Sequence, residues 1–162
     1  MKQVVSILVE NQAGVLNKIT GLFARRAFNI DSLAVGVTED KSISRITMIV
    51  DSGNNAVDQV EKQLNKLVQV IKVRSFVSSE IVGKELALMK ICATPKTRSE
   101  IKDLADIMNA RIVDISTTTM TLEISEAPDI IDLFEEMIRP YGIQEVARTG
   151  IVALQKGSAS IS

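Results

Sequence analysis

Residues 4–9, VVSILV, form a nearly continuous apolar run, which predicts a short strand buried on both faces. A polar loop, Glu10-Asn11-Gln12-Ala13-Gly14, follows, and beyond it the period changes. Leu16, Ile19, Phe23 and Ala27 recur at helical spacing, with Asn17, Lys18, Arg25 and Arg26 on the opposite face. Phe28-Asn29 is placed to end that helix, because Asn tolerates the left-handed conformation after a helix C-terminus. Residues 30–38 alternate through Leu33, Val35 and Val37 as a strand. Glu39-Asp40-Lys41 reads as a turn, and 42–50 return as a second strand. After a loop at 51–54, Val57, Val60, Leu64 and Leu67 mark another amphipathic helix, and 70–77 a fourth strand.

The second half repeats the order. Residues 78–84 are polar enough to be a linker, and 86–94 read as a strand. Thr97-Arg98-Ser99-Glu100 matches a capping box and opens a helix through Ile101, Leu104, Ala105 and Met108. Residues 111–116 and 120–125 form a strand pair. Pro128 falls in the first turn of a helix carrying Ile131, Leu133, Phe134, Met137 and Ile138, and Gly142 is placed to end it. Residues 143–154 are a last strand region, and 157–162 a small polar tail expected to fray. Strand, helix, strand, strand, helix, strand, taken twice, predicts an α+β chain of two ferredoxin-like βαββαβ modules, 1–77 and 78–162.

Composition narrows the chemistry. Aromatic residues are 3% with no Trp, so Val, Ile, Leu and Met must build the cores. The net charge is −1, which gives no electrostatic footprint for nucleic acid or for an anionic membrane. There is no His at all, which removes the commonest general acid/base and the commonest neutral metal ligand. Cys92 is alone, so neither an intramolecular disulfide nor a thiolate zinc site is expected, and in a strand it reads as a small buried hydrophobe. Met1-Lys2-Gln3 runs into a strand-like segment without a signal pattern, and no apolar stretch approaches the roughly 20 residues a bilayer span needs. A cytoplasmic, binding rather than catalytic, protein is expected.

One segment has the parts of a binding site. Asn11-Gln12-Ala13-Gly14-Val15-Leu16 leaves a central strand and starts a helix. Free backbone N–H groups and the positive dipole end there suit a carboxylate. Gly14 lets a ligand approach the backbone. Asn11 can donate and accept, and Val15 and Leu16 offer apolar contact. These parts fit a free α-amino acid with an aliphatic side chain. A plain strand-to-helix loop contains the same residues in many folds, and that alternative stands on this evidence.

The run Val5 to Leu16, with Ile19, Leu22, Phe23, Arg25, Arg26 and the segment Asn29-Ile30-Asp31-Ser32-Leu33-Ala34-Val35-Gly36, resembles the ACT domain of the acetolactate synthase (acetohydroxyacid synthase) small subunits. The resemblance extends over essentially the whole chain and is strongest over 3–80. It implies a regulatory subunit without cofactors of its own. It further implies a catalytic subunit as partner, carrying thiamine diphosphate, magnesium and usually FAD. The effector it implies is valine or a related branched-chain amino acid, acting by feedback inhibition. It implies an effector site shared between two copies, with Asn11, Gly14, Val15 and Leu16 of one copy facing Asn29 and Ile30 of another. Either Asn could equally be a local cap. An aliphatic pocket separates neighbours one methylene apart by only about 1–3 kcal/mol, so valine, leucine and isoleucine are not ranked.

The strand at 30–38 is expected to be a sheet edge with little charge to protect it, which predicts a homodimer through it or the adjoining helix, with a monomer whose edge is covered as the alternative. The second module's matching turn, Ala93-Thr94-Pro95-Lys96, has no Gly and a Pro that removes a donor, which suits partner docking or a structural role. Lys102, Asp103 and Asp106 are expected on a solvated helix face. A free-standing amino-acid sensor for another enzyme or a transcription factor is the second function class, and a small enzyme the third.

Overall fold

A computed structural model of the chain describes residues 2–51 and 56–161. The chain divides into two compact units, Met1–Gly83 with Gly150–Ser162, and Lys84–Thr149. Against the expected division at 77/78, this grouping adds residues 78–83 to the first unit and returns 150–162 to it as well.

In the first unit, strand β1 (Lys2–Glu10) is followed by helix α1 (Val15–Arg25), strands β2 (Asn29–Val37) and β3 (Ile43–Asp51), helix α2 (Ala56–Leu64) and strand β4 (Val70–Phe76). The sheet order is β2-β3-β1-β4, antiparallel at every pairing, so β1 and β3 are central and β2 and β4 are edges. This is the expected ferredoxin-like arrangement. Every residue from Val4 to Val9 is buried, as a central strand covered on both faces requires. On the helix side Val5, Ile7, Val9, Ile46, Met48 and Val50 pack with Val15, Ile19, Leu22 and Phe23 of α1 and Val60 and Leu64 of α2. Phe23 meets Phe28 edge to face at 6.2 Å. On the other side Val4, Phe76 and Ile49 pack with Ile81, Ile151 and Ala153.

Local details depart from expectation for identifiable reasons. The left-handed residue after α1 is Ala27, φ 54°, and Asn29 is instead the first residue of β2. The loop expected at 51–54 falls outside the described residues except for Asp51, which ends β3, and the side chain of Val57 is outside them too. The segment expected as a linker holds a short 3-10 turn, Ser78–Glu80, braced by Glu80 accepting from the amide of Val77, and then the start of strand β5 (Ile81–Cys92).

The second unit continues with α3 (Arg98–Ile107), β6 (Arg111–Ile115), β7 (Thr119–Glu126), α4 (Pro128–Ile138) and β8 (Ile143–Arg148), in sheet order β6-β7-β5-β8. Met89, Ile91, Met120, Leu122 and Ile124 face Ile101 and Ala105 of α3 and Ile131, Phe134 and Ile138 of α4. Pro128 opens α4 as its rigid φ predicts, while Gly142 ends a 3-10 turn, Arg139–Tyr141, that extends it. The capping box at Thr97 does not form. Thr97 Oγ1 accepts from the amide of Thr94 instead, and Glu100 accepts from the Tyr141 hydroxyl at 3.1 Å. Cys92 is half-buried rather than buried and accepts a bond from Gln144 Nε2. Lys102 and Asp106 pair on an exposed face of α3 as expected.

The last strand region is broken. After β8, Gly150 has φ +78°, and strand β9 (Val152–Gln155) pairs with β5. The tail expected to fray carries a buried residue, Ile161, 3% exposed.

Candidate functional site

The loop 11–14 leaves the end of β1 where the hairpin between β2 and β3 also lies. The amide of Asn11 donates to Ser42 O at 2.7 Å, and Asn11 Nδ2 donates to Lys41 O at 2.9 Å. Asn11 is therefore held at both its backbone and its side chain. The turn that holds it is itself braced. Thr38 N donates to Ile43 O, and the Ser42 amide and hydroxyl both donate to Asp40 Oδ1. The Ser42 hydroxyl, then its amide, lower the Asp40 carboxyl below its ordinary range. With one Nδ2 hydrogen engaged, Asn11 still has a side-chain carbonyl oxygen able to accept.

Gly14 is the N-cap of α1 at φ 84°, ψ −8°, and no side chain caps the helix. A Cβ added at Gly14 would meet nothing within 4 Å, so the glycine serves the backbone conformation and keeps the approach to the first turn open. Val15 N makes only a long bond, 3.4 Å, to Gln12 O. The uncapped first turn thus offers the donors and dipole end that a carboxylate needs. The two apolar residues part ways here. Val15 is 5% exposed and its side chain belongs to the core, which leaves only its backbone open to a ligand, whereas the side chain of Leu16 is 39% exposed.

Asn29 and Ile30 lie elsewhere. Asn29 is exposed at the start of β2, its Nδ2 donating to Asp31 Oδ1 at 2.6 Å, and Ile30 is half-buried. Asn29 pairs with Asp51, at the end of β3 where Lys2 begins β1, while Glu10 pairs with Ile43 at the other end. One chain does not bring the two groups together. The sequence pattern missed the part played by Lys41 and Ser42 in fixing Asn11, although their turn was legible.

Among the described residues no group of His, Cys, Asp and Glu is placed to hold a metal ion. No described helix is long and apolar enough to cross a membrane.

Residues 5–72 match the model of the acetohydroxyacid synthase small subunit-like ACT domain, and 84–157 that of the small subunit of acetolactate synthase. The chain belongs to the acetolactate synthase small-subunit family. It is 42% identical to the acetolactate synthase small subunit of Bacillus subtilis, over 98% of this chain and 92% of that one. It is 41% identical to that of Mycolicibacterium smegmatis, over 96% and 92%. The crystal structure of the small subunit from Thermotoga maritima superposes with a TM-score of 0.90 at 35% identity, over 98% of this chain and 99% of that one. A small-subunit fold therefore covers both units, and the first is an ACT domain.

Proposed function

We propose that this chain is the regulatory subunit of an acetolactate synthase, activating a separate catalytic subunit and conferring feedback inhibition by valine or a related branched-chain amino acid. On this reading the chain is non-catalytic and works in the cytoplasm. Thiamine diphosphate, magnesium and FAD reside on the catalytic partner, and this chain contributes binding alone.

The observation that carries the reading is the uncapped start of α1 behind Gly14, beside an Asn11 fixed on its turn. The effector carboxylate sits on the first-turn amides of α1. Its ammonium is met by the side-chain oxygens of Asn11 and of Asn29 from a second copy. Its aliphatic chain lies against Leu16 and the second copy's Ile30. Two copies related by a two-fold axis near the middle of β2 place the start of one β2 beside the loop of the other. The exposed, apolar edge of β2, with Val35 at 49% and Val37 at 62% exposure, suits such a seam.

The test is calorimetric titration of the full chain with valine, with and without Gly14→Asp, followed by co-purification with the catalytic subunit and assay with and without valine. Binding that Gly14→Asp abolishes, and a thiamine-dependent enzyme as the retained partner, are expected. Equal affinity in both proteins removes the site. Retention of an unrelated enzyme or a transcription factor would favour a free-standing sensor.

A further inference from the structure

The segment after the second unit crosses the first unit's sheet on the face away from the helices. Gly150 directly follows Thr149, the last residue of the second unit. A Cβ built on Gly150 would lie 3.2 Å from Leu33 O and 3.3 Å from both Leu33 C and Leu33 N. Gly150 is thus pressed on the backbone of β2. Ile151 and Ala153, 4% and 5% exposed, pack next with Ile49 of β3, Val4 of β1 and Phe76 of β4. Gly83 closes the other side, since a Cβ there would come 2.7 Å from Ile151 Cδ1. The strap thus meets β2 at Leu33 and shares one apolar cluster with residues of the other three strands, and β9 then pairs with β5, the strand that leads into the second unit.

Leu33 is the meeting point. It stands in β2 with Asn29 and Ile30, its side chain packs toward the helix-side core, and its backbone lies under Gly150. As an edge strand, β2 has one hydrogen-bonded neighbour in its sheet. A contact of backbone on backbone has no side chain to absorb a displacement, and close-packed interfaces pass such displacements on.

We propose that the strap Gly150–Gln155 is the element that couples effector occupancy at β2 to the second unit, with the Gly150–Leu33 contact as its sensor. The proposal rests on the effector reading above. A strand shifted by a ligand on Asn29 and Ile30 moves the seat of Gly150. Gly150 is covalently continuous with β8, so the displacement enters the second unit through the chain itself. A side chain there meets two obstacles, the left-handed φ and a crowded Cβ position that Leu33 must give way to.

Gly150→Ala separates coupling from binding, and Gly157→Ala is its control. Gly157 has the same φ, +78°, but nothing within 4 Å of an added Cβ, so it carries the backbone strain without the contact. In the full chain, valine affinity of Gly150→Ala should stay within about 2-fold of the unsubstituted protein. In the complex with the catalytic subunit, half-inhibition should move up by 10-fold or more, while Gly157→Ala is inhibited normally. Hydrogen exchange on the unsubstituted complex gives a readout free of any folding defect. Valine should change exchange at both 33–35 and 151–155. Full inhibition in Gly150→Ala, or exchange changes that stop at β2, overturn the strap while leaving the effector site standing. No binding of valine, leucine or isoleucine by the unsubstituted chain overturns the effector reading, and the strap with it.

Discussion

Asn11 and Asn29 stand at opposite ends of one sheet. Asn11 follows Glu10, which pairs with Ile43, and Asn29 pairs with Asp51, eight residues further along β3. At about 3.3 Å per residue the two asparagines are separated by roughly 26 Å along the strands. A single small amino acid spans neither that distance nor the sheet. If both asparagines serve one ligand, two chains must supply them, and the edge strand that runs between the two ends is where they meet.

Val35→Lys should therefore break the proposed homodimer. A two-fold seam on β2 brings two new lysines toward each other, and leaving such charges unpaired costs about 3 kcal/mol or more. That corresponds to a dimer dissociation constant raised by roughly two orders of magnitude. Sedimentation across a concentration series should show monomer where the unsubstituted chain is dimeric, and valine heats should vanish at the same concentrations. A Val35→Lys chain that stays dimeric and binds valine sinks β2 as the seam.

Gly14→Ala and Gly14→Asp should differ in kind. The added methyl of Ala meets open space, so its cost is the left-handed backbone, about 1 kcal/mol of stability. Asp adds a negative charge where the effector carboxylate is to sit. Melting temperatures of the two variants should fall by a similar few degrees. Valine affinity should drop less than 10-fold for Ala and far more for Asp. An Ala variant that binds as poorly as Asp would show that backbone shape, not charge, decides the site.

Much of this was legible in the chain, for reasons tied to particular residues. The switch from the unbroken run Val4–Val9 to the helical spacing of Ile19 and Phe23 marks β1 and α1, because the two elements bury residues at different periods. The loop from Asn11 to Gly14 was legible as the step from strand to helix. The remainder depended on contacts distant in sequence. Thr97 has the right spacing for a capping box, yet Thr94 claims its hydroxyl and Tyr141 claims Glu100. Val15 matches a ligand-facing residue by pattern but turns into the core. Residues 143–154 read as one strand because Ile151 and Ala153 are apolar. Gly150 breaks that strand, and the residues that cluster with those two, Val4, Ile49 and Phe76, stand some 75 positions or more earlier in the chain, in the same first unit.

The Glu85–Arg148 pair should behave as a fastening of the second unit. Glu85 is 5% exposed, and Arg148 Nε and Nη2 grip its two oxygens at 2.9 and 3.0 Å while Nη1 reaches Asp132 at 2.6 Å. The bonds to Glu85 first, against the cost of burial, hold the guanidinium proton more tightly than usual. Arg148→Met leaves a buried carboxylate alone and should cost about 3 kcal/mol. The double variant Glu85→Met/Arg148→Met should cost clearly less than Arg148→Met by itself. Urea unfolding of the four proteins measures the cycle, and additive losses would mean that the pair is not coupled.

Tyr141 offers an optical probe of the same unit, because the chain has one tyrosine and no tryptophan. Its hydroxyl donates to Glu100 Oε2 at 3.1 Å. Burial first, then the bond to Glu100 and its charge, raise the phenol above its ordinary value of 10.0. The sign follows from the raised folded value. The neutral phenol's contribution is fully present below the unfolded pKa and is lost as pH rises through the folded one. The phenolate absorbance of the native protein should therefore reach its midpoint above 10, and that of the urea-unfolded chain near 10. Glu100→Gln should lower the native midpoint only partway, since burial is the larger cause and remains. The part of the stability due to Tyr141 should be flat in pH below the unfolded midpoint and fall beyond it. A native midpoint equal to the unfolded one would show that Tyr141 neither keeps its bond to Glu100 nor stays shielded in solution.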